Sequence, residues 1–125
     1  MVVVALIGVL AAIAVPAYRE YAYKARRADA KNALIALQLQ QERWRASNPS
    51  YTATLADLNW RATSPDEYYE LQIDWARTFT YRVTAEPISG GKQANDRCGT
   101  FAWVQSTNVS GPDFSSGYAN ADCWK

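Results

Sequence analysis

The chain has no histidine, which excludes imidazole general-base catalysis and histidine metal sites. It has two cysteines, Cys98 and Cys123, and they lie too far apart in the sequence to resemble a metal-binding motif. Its net charge is +1, so the chain lacks the basic bias of a dedicated nucleic-acid-binding domain and the acidic bias of a solvating tail. These absences leave a chain of single-domain size without an evident chemical centre.

Catalytic sets of residues are also missing. No histidine is available to activate a serine or cysteine nucleophile. The carboxylates of Asp66, Glu67 and Glu70 are close in sequence, but they fall at a turn and a strand start, where solvated charges are usual. The segment SGGK at 89–92 lacks the length and the serine or threonine of a phosphate-binding loop. The sequence therefore predicts no enzyme, no cofactor, no metal site and no small-molecule substrate.

What the chain does have is an apolar run at its start. Residues 1–18 contain no charged side chain, and the first charge is Arg19. As a helix this run would be roughly 27 Å long, close to the ~20 residues of a membrane span. No basic segment precedes it, unlike a secretory signal peptide. A helix that is apolar on all sides also fits poorly inside so small a domain. We therefore expect a hydrophobic stem over 1–22, followed by a globular head over 23–125.

The segment after the stem is polar and has helical periodicity. It predicts a head helix over 23–47, ended by Pro49, which disfavours helical geometry at the residue before it. Residues 19–45 contain seven basic and three acidic side chains, an excess of +4, so the rest of the chain carries −3. The positions expected to face a sheet share one side of this helix: Ala30, Ala33, Leu34, Leu37, Gln41 and Trp44.

Three later segments alternate between apolar and polar residues, which is typical of antiparallel strands. A loop over 48–67, with one helical turn at 55–58, would connect the helix to a sheet over 68–105. The first two strands would form a hairpin joined at Ala76-Arg77, and residues 106–121 would be loop-rich. The side chains expected to point into the core are Tyr69, Leu71 and Ile73 in the first strand, Phe79, Tyr81 and Val83 in the second, and Phe101 and Trp103 in the third.

The N-terminal region resembles a known family. MVVVALIGVLAAIAVPAY followed by REYAYKARRADAKNAL, residues 1–34, is similar to the N-terminal helix of type IV pilins, including the positions of Gly8, Pro16, Tyr18 and Tyr21. Mature pilins begin with a short further segment that includes an N-terminal phenylalanine and a glutamate, and neither this segment nor the leader is in the sequence. The resemblance implies an α+β pilin fold, with a long stem-bearing helix packed on a small antiparallel sheet and a disulfide-closed C-terminal region.

The resemblance also implies how the stem is used. It would lie in the inner membrane before assembly and form the filament core afterwards. We expect the segment from Gly8 to Pro16 to be extended in the filament, because Pro16 cannot donate to the carbonyl of Ala12 and Gly8 costs about 1 kcal/mol relative to alanine. The alternative is a simple kink at Pro16. The side chains expected to pack in the filament core are Val3, Leu6, Leu10, Ile13, Val15, Tyr18 and Tyr21.

In a protein exposed outside the cytoplasm, Cys98 and Cys123 would form a disulfide that closes the C-terminal loop 98–123 and contributes about 3 kcal/mol. Two free thiols in the core are the alternative. Competence pilins bind DNA through basic residues of the head, and a disulfide would bring three of them together. This candidate DNA site consists of Lys92, Arg97 and Lys125, with Trp103, Tyr118 and Trp124 available to stack on bases. Asp96, Asp113 and Asp122 in the same region oppose it.

The function that the resemblance implies is a structural one. The chain would be a type IV pilin on the bacterial surface, in a homo-oligomeric helical filament used for adhesion, twitching motility or DNA uptake, and dependent on the pilus assembly machinery. The first alternative is a minor or competence pilin that binds DNA. The second is a type II secretion pseudopilin, although the cysteine pair favours a pilin. An enzyme held by a signal anchor is the remotest alternative, because no catalytic set is present.

Overall fold

A computed structural model describes all residues from 1 to 125. Its longest element is helix α1, Val2–Ser47, which has 46 residues and a length of roughly 69 Å. Pro16 lies within this helix, and the residues around it stay helical. The helix ends at Ser47, and the next residue, Asn48, is extended (φ −135°, ψ 153°), because the following Pro49 crowds a helical conformation there.

An antiparallel sheet of four strands, in the order β1-β2-β3-β4, packs on α1. The strands are β1 (Tyr69–Ala76), β2 (Tyr81–Pro87), β3 (Phe101–Gln105) and β4 (Ser110–Pro112). One 3₁₀ turn, Leu55–Leu58, lies between α1 and β1 and confirms the predicted helical turn. A second, Ala121–Trp124, follows β4 near the C-terminus. A long N-terminal helix on a small antiparallel sheet confirms the predicted α+β fold.

The hydrophobic core lies between α1 and the inner face of the sheet. Each large side chain buried there contributes about 1.5–3 kcal/mol. All but one of the helix residues predicted to face the sheet are buried, and Trp44 is half-buried against the same core. The largest apolar side chains that the sheet buries completely are Tyr69, Leu71, Tyr81, Val83 and Phe101.

Two buried polar side chains of α1 hold the loop that connects the helix to the sheet. The amide of Gln41 donates to the carbonyl of Thr52 at 2.8 Å and accepts from its N–H at 3.2 Å. The carboxylate of Asp29 accepts from the hydroxyl of Ser64 and, at 3.0 Å, from the N–H of Asp66. The loop is therefore fixed to the helix at both of its ends.

The turn between β1 and β2 differs from the prediction. β2 begins at Tyr81, and the connection is the four-residue segment 77–80 rather than Ala76-Arg77. The N–H of Arg77 donates to the carbonyl of Thr80 at 2.7 Å, which closes the turn around Phe79. The prediction that Phe79 points into the core is wrong, since its side chain is 62% exposed.

A β-bulge changes the alternation near the end of β1. Ile73 pairs with Val83, but Trp75 pairs with the next residue of β2, Arg82, so Asp74 is an extra residue. A bulge of this kind reverses the side on which the following side chains lie. Trp75 consequently shares the outer face of the sheet with Arg82.

The fourth strand corrects the prediction that the sheet ends at residue 105, before the segment 106–121 that was expected to be loop-rich. Ser110–Pro112 pairs with the end of β3, so the sheet continues beyond the predicted limit at residue 105. Its sequence, Ser-Gly-Pro, carries no strand signal, because glycine and proline are poor strand residues in general. Proline is tolerated in a strand at the edge of a sheet, which is where β4 lies.

Candidate functional site

The two cysteines form the predicted disulfide. Cys98 and Cys123 are bonded, their Cα atoms are 5.9 Å apart, and both side chains are buried in the hydrophobic core. The bond joins the segment that precedes β3 to the C-terminal 3₁₀ turn. It therefore brings the segments that carry Arg97 and Lys125 close together, as the sequence predicted.

Within the predicted DNA site, two of the three cations already have carboxylate partners. The Nε of Arg97 lies 3.6 Å from a carboxylate oxygen of Glu20, and the Nζ of Lys125 lies 3.0 Å from Asp122. Lys92 is exposed and forms no salt bridge. Since all of these pairs are exposed, each contributes at most about 1 kcal/mol.

Asp96, whose negative charge was expected to oppose DNA binding, is buried. Its carboxylate accepts two hydrogen bonds from Arg27 of α1, at 2.7 Å from Nε and 2.6 Å from Nη2, and both side chains are buried. The hydrogen bonds to Asp96 raise the pKa of Arg27 above its ordinary value. The same Nη2 also donates to Glu20 at 3.2 Å. This network holds the segment 92–97 against the helix.

A buried glutamine fixes the position of the segment 92–97 along the axis of α1. The side-chain amide of Gln93 donates to the backbone carbonyl of Tyr23 at 3.2 Å and to the hydroxyl of Tyr69 at 3.0 Å. Together with the contacts of Arg27 and Glu20, this places residues 92–97 beside the first turns of helix that follow the apolar run. We call this the stem end of the head.

A second group of cations lies at the opposite end, around the turn between β1 and β2. We call Arg45, Trp75, Arg77 and Phe79 the distal cluster. The guanidinium of Arg77 lies over the ring of Trp75 at 5.6 Å, and that of Arg45 over Phe79 at 5.7 Å. Neither arginine forms a salt bridge. Arginine side chains are among the usual contacts to nucleic-acid phosphates.

Hydrogen bonds join the distal cluster to the end of α1. The Nε of Arg45 donates to the carbonyl of Thr78 at 3.0 Å, and the N–H of Tyr51 donates to the carbonyl of Arg77 at 3.1 Å. Along the helix, Arg45 is roughly 37 Å from Glu20 at 1.5 Å per residue. The distal cluster and the stem end are therefore at opposite ends of the head.

Arg82, another basic residue of the head, is fully engaged within the chain. It forms ion pairs with Asp74 at 3.1 Å and Asp113 at 3.0 Å, and its guanidinium lies over the rings of Trp75 and Tyr118. These contacts hold the disulfide-closed loop over the outer face of the sheet. Arg82 consequently has a structural role in this part of the head.

The aromatic side chains predicted to stack on bases are half-buried and contact other side chains of the head. The ring of Trp124 makes an edge contact with Phe101, at 5.4 Å between ring centroids, and a tilted contact with Trp103 at 6.1 Å. Tyr118 lies over Arg82. The sequence missed the distal cluster because the alternation assigned Phe79 to the core and gave no sign of the bulge that turns Trp75 outward. The available signal was the sequence WARTF itself, two aromatics around one arginine.

The stem lies outside the head. Every residue of 1–21 is exposed, and α1 is long and apolar enough to cross a membrane, with a mean hydropathy of 2.2 over its most apolar window. Gly8 and Pro16 are both helical. The predicted filament-core residues therefore have no packing partner inside the chain, and their exposed fractions run from 49% to 71% (Val3, Leu6, Leu10, Ile13, Val15, Tyr18 and Tyr21).

An exposed apolar stem that continues as the helix of a head, an antiparallel meander on that helix and a C-terminal disulfide define the type IV pilin fold. A family described as type IV minor pilin ComP, DNA uptake sequence receptor, matches residues 16–102. Because the match covers more than half of the chain, the chain belongs to this family of type IV minor pilins. A search of curated proteins finds no match.

Proposed function

We propose that this chain is a minor pilin that binds double-stranded DNA at the bacterial surface during DNA uptake. The family description supports this role, and it favours the minor-pilin alternative over the pseudopilin. The chain is stored in the inner membrane by its stem and then enters a helical pilus with the help of the assembly machinery. Adhesion and twitching motility would be properties of the whole fibre.

The observation that carries DNA binding is the distal cluster. Neither of its arginines has a carboxylate partner, and Phe79 is exposed beside them. Arg45 donates to the backbone carbonyls of Thr78 and Asn48. The exposed guanidinium of Arg77 is therefore the charge most available to phosphate. Phosphate contacts supply most of the affinity of a protein for DNA. A guanidinium can also read guanine through paired hydrogen bonds to its major-groove edge, which gives Arg77 a means of preferring one sequence.

The predicted site of Lys92, Arg97 and Lys125 is the weaker candidate for DNA. Arg97 and Lys125 each face a carboxylate, and the segment 92–97 lies at the stem end. In a subunit whose stem is inserted, that end faces the membrane or the filament axis. The distal end faces away from it.

The test measures binding of the full chain, in an uncharged detergent, to a fluorescent DNA duplex over a series of salt concentrations. We expect Arg77→Gln to weaken binding and to reduce the slope of log affinity against log salt by about 0.9, the value of one phosphate contact. Lys92→Gln is the matched control, since it removes the same charge at the other end, and it should leave the slope unchanged. A loss of slope with Lys92→Gln but not with Arg77→Gln would assign DNA to the stem end instead.

The stem has a separate role in this proposal. Val3, Leu6, Leu10, Ile13, Val15, Tyr18 and Tyr21 would pack against neighbouring stems in the filament core. The segment from Gly8 to Pro16, helical in the isolated chain, would become extended there, because neighbouring stems can supply partners for the backbone groups that Pro16 leaves unpaired. A filament density map with continuous helix from Gly8 to Pro16 would contradict this part of the proposal.

A further inference from the structure

The stem end of the head is rich in exposed cations. Residues 19–24 and 92–97 carry four of them, Arg19, Lys24, Lys92 and Arg97, against one exposed acid, Glu20. Glu20 is engaged with Arg27 and Arg97. The other acid of these segments, Asp96, is buried with Arg27. Arg19, Lys24 and Lys92 form no salt bridge within the chain, so this end has a net positive surface.

The heights of these cations follow from where the apolar run ends. Residues up to Tyr18 carry no charge, so in an inserted stem the boundary between hydrocarbon and headgroups lies next to Arg19. The headgroup layer then covers about the next 5–7 Å, which corresponds to residues 19–23, with Lys24 at its outer edge. Gln93 bonds to the carbonyl of Tyr23 and Arg97 pairs with Glu20. The segment 92–97 consequently lies at headgroup height, although it is far from the stem in sequence.

Exposed tyrosines lie at the same height. Tyr18 and Tyr21 are 71% and 70% exposed and have no partner in the head. Tyrosine is enriched at the boundary between hydrocarbon and headgroups, where its ring is apolar and its hydroxyl is hydrated. The order along the helix is therefore an apolar run, aromatic rings and then cations, which matches the layers of a bilayer leaflet.

We propose that the stem end is a binding surface for the phosphate headgroups of anionic phospholipids, formed by Arg19, Lys24, Lys92 and Arg97. Arg27 and Gln93 are positioning residues that hold the segment 92–97 at this height. The surface binds the membrane-stored subunit to anionic lipid and fixes its depth before assembly. This inference rests on the proposed membrane insertion of the stem, but not on DNA binding.

The test is a competition between two vesicle populations, one of phosphatidylcholine and one of phosphatidylcholine with phosphatidylglycerol. The full chain is mixed with both, the populations are separated, and the ratio of bound chain is measured. Stem insertion contributes equally to both populations, so the ratio reports the headgroup contacts. We expect a preference for the anionic vesicles that decreases as salt is added. One surface cation changes the ratio of anionic-bound to neutral-bound chain about fivefold. Lys92→Gln should therefore lower this ratio about fivefold, and the double variant Arg19→Gln with Lys92→Gln should lower it about 25-fold.

Arg77→Gln is the matched control, because it removes the same charge at the distal end of the head, where Arg45 is roughly 37 Å along the helix from Glu20, and it should leave the ratio unchanged. Lys92 is exposed and unpaired, so its replacement should not disturb folding. Equal distribution of the wild-type chain, or an equal effect of Arg77→Gln, would overturn the lipid surface while leaving membrane insertion intact. Failure to bind either vesicle would overturn insertion and the lipid surface together. If Lys92→Gln lost affinity for the DNA duplex but kept its preference for anionic vesicles, Lys92 would contact DNA rather than lipid headgroups, and the lipid surface would be overturned.

Discussion

At the scale of single residues, the charged side chains of the head differ in whether their partners are buried. Arg27 and Asp96 are buried together and satisfy each other through two hydrogen bonds. Arg97 and Lys125 have exposed partners, and Arg77 has none. A buried pair is costly to break because it leaves an isolated charge away from water, whereas an exposed pair is readily replaced by solvent.

This difference predicts the effect of Arg27→Gln on stability. We expect it to lower the free energy of unfolding of the head by about 3–5 kcal/mol, because the carboxylate of Asp96 would stay buried without its cation. Arg97→Gln, which removes an exposed partner of Glu20, should cost less than about 1 kcal/mol. Urea unfolding followed by tryptophan fluorescence measures both values. Equal costs for the two variants would contradict the buried pair.

The buried tyrosines predict a loss of stability at high pH. Burial raises the pKa of Tyr69 to about 12 from an ordinary value of 10.0. The unfolded chain therefore releases this proton first, and the stabilisation by Tyr69 is complete below pH 10 and is lost as the pH rises through the folded pKa. Tyr69→Phe should remove that part of the pH dependence, although it also loses the hydrogen bond to Gln93. Unfolding free energies measured between neutral pH and about pH 12 test this, and an unchanged slope in the variant would contradict it.

At the scale of elements, the hairpin of β1 and β2 forms the distal cluster through two irregularities. The bulge at Asp74 turns Trp75 to the outer face, and the four-residue turn leaves Phe79 in solvent. Bulges are common next to functional sites, where they redirect a side chain. The distal cluster therefore forms where the regular pairing of β1 with β2 is interrupted, at the bulge and at the turn.

The exposed position of Phe79 gives a direct test of this hairpin. Phe79→Ala should cost less than about 1 kcal/mol, since it removes only a surface contact with Arg45. Phe101→Ala is the matched control, because its side chain is completely buried, and it should cost about 3–5 kcal/mol. The same urea unfolding experiment measures both. A loss of several kcal/mol in the free energy of unfolding for Phe79→Ala, as large as that expected for Phe101→Ala, would show that the Phe79 side chain is buried in the core.

These elements also show how far the sequence could be interpreted. Regular periodicity identified the helix face around Leu34 and Leu37 and the inner residues Tyr69 and Leu71, because burial of one face imposes that period. The bulge and β4 could not be predicted, since each depends on pairing with a neighbouring strand and leaves no local pattern. The height of Lys92 could not be predicted either, because it depends on the long-range contacts of Gln93 and Arg27.

At the scale of the whole molecule, the head separates its cations by position. Residues 19–45 carry an excess of +4 and the rest of the chain −3, yet the cations proposed to bind ligands lie at both ends of the head rather than along one continuous stripe. The helix places those ends roughly 37 Å apart. One end is next to the stem and the other faces away from it. We therefore assign lipid to the stem end and DNA to the distal end.

The assignment of DNA to the distal end is best tested by ultraviolet crosslinking of a DNA duplex to the full chain, with the crosslinked peptides identified by mass spectrometry. The aromatic rings of the distal cluster are suited to this, since Trp75 and Phe79 lie beside the arginines proposed to bind phosphate. We expect crosslinks within residues 75–80, which are the end of β1 and the turn after it, and we expect their loss in Arg77→Gln. Crosslinks confined to residues 92–97 or 121–125 would contradict the assignment.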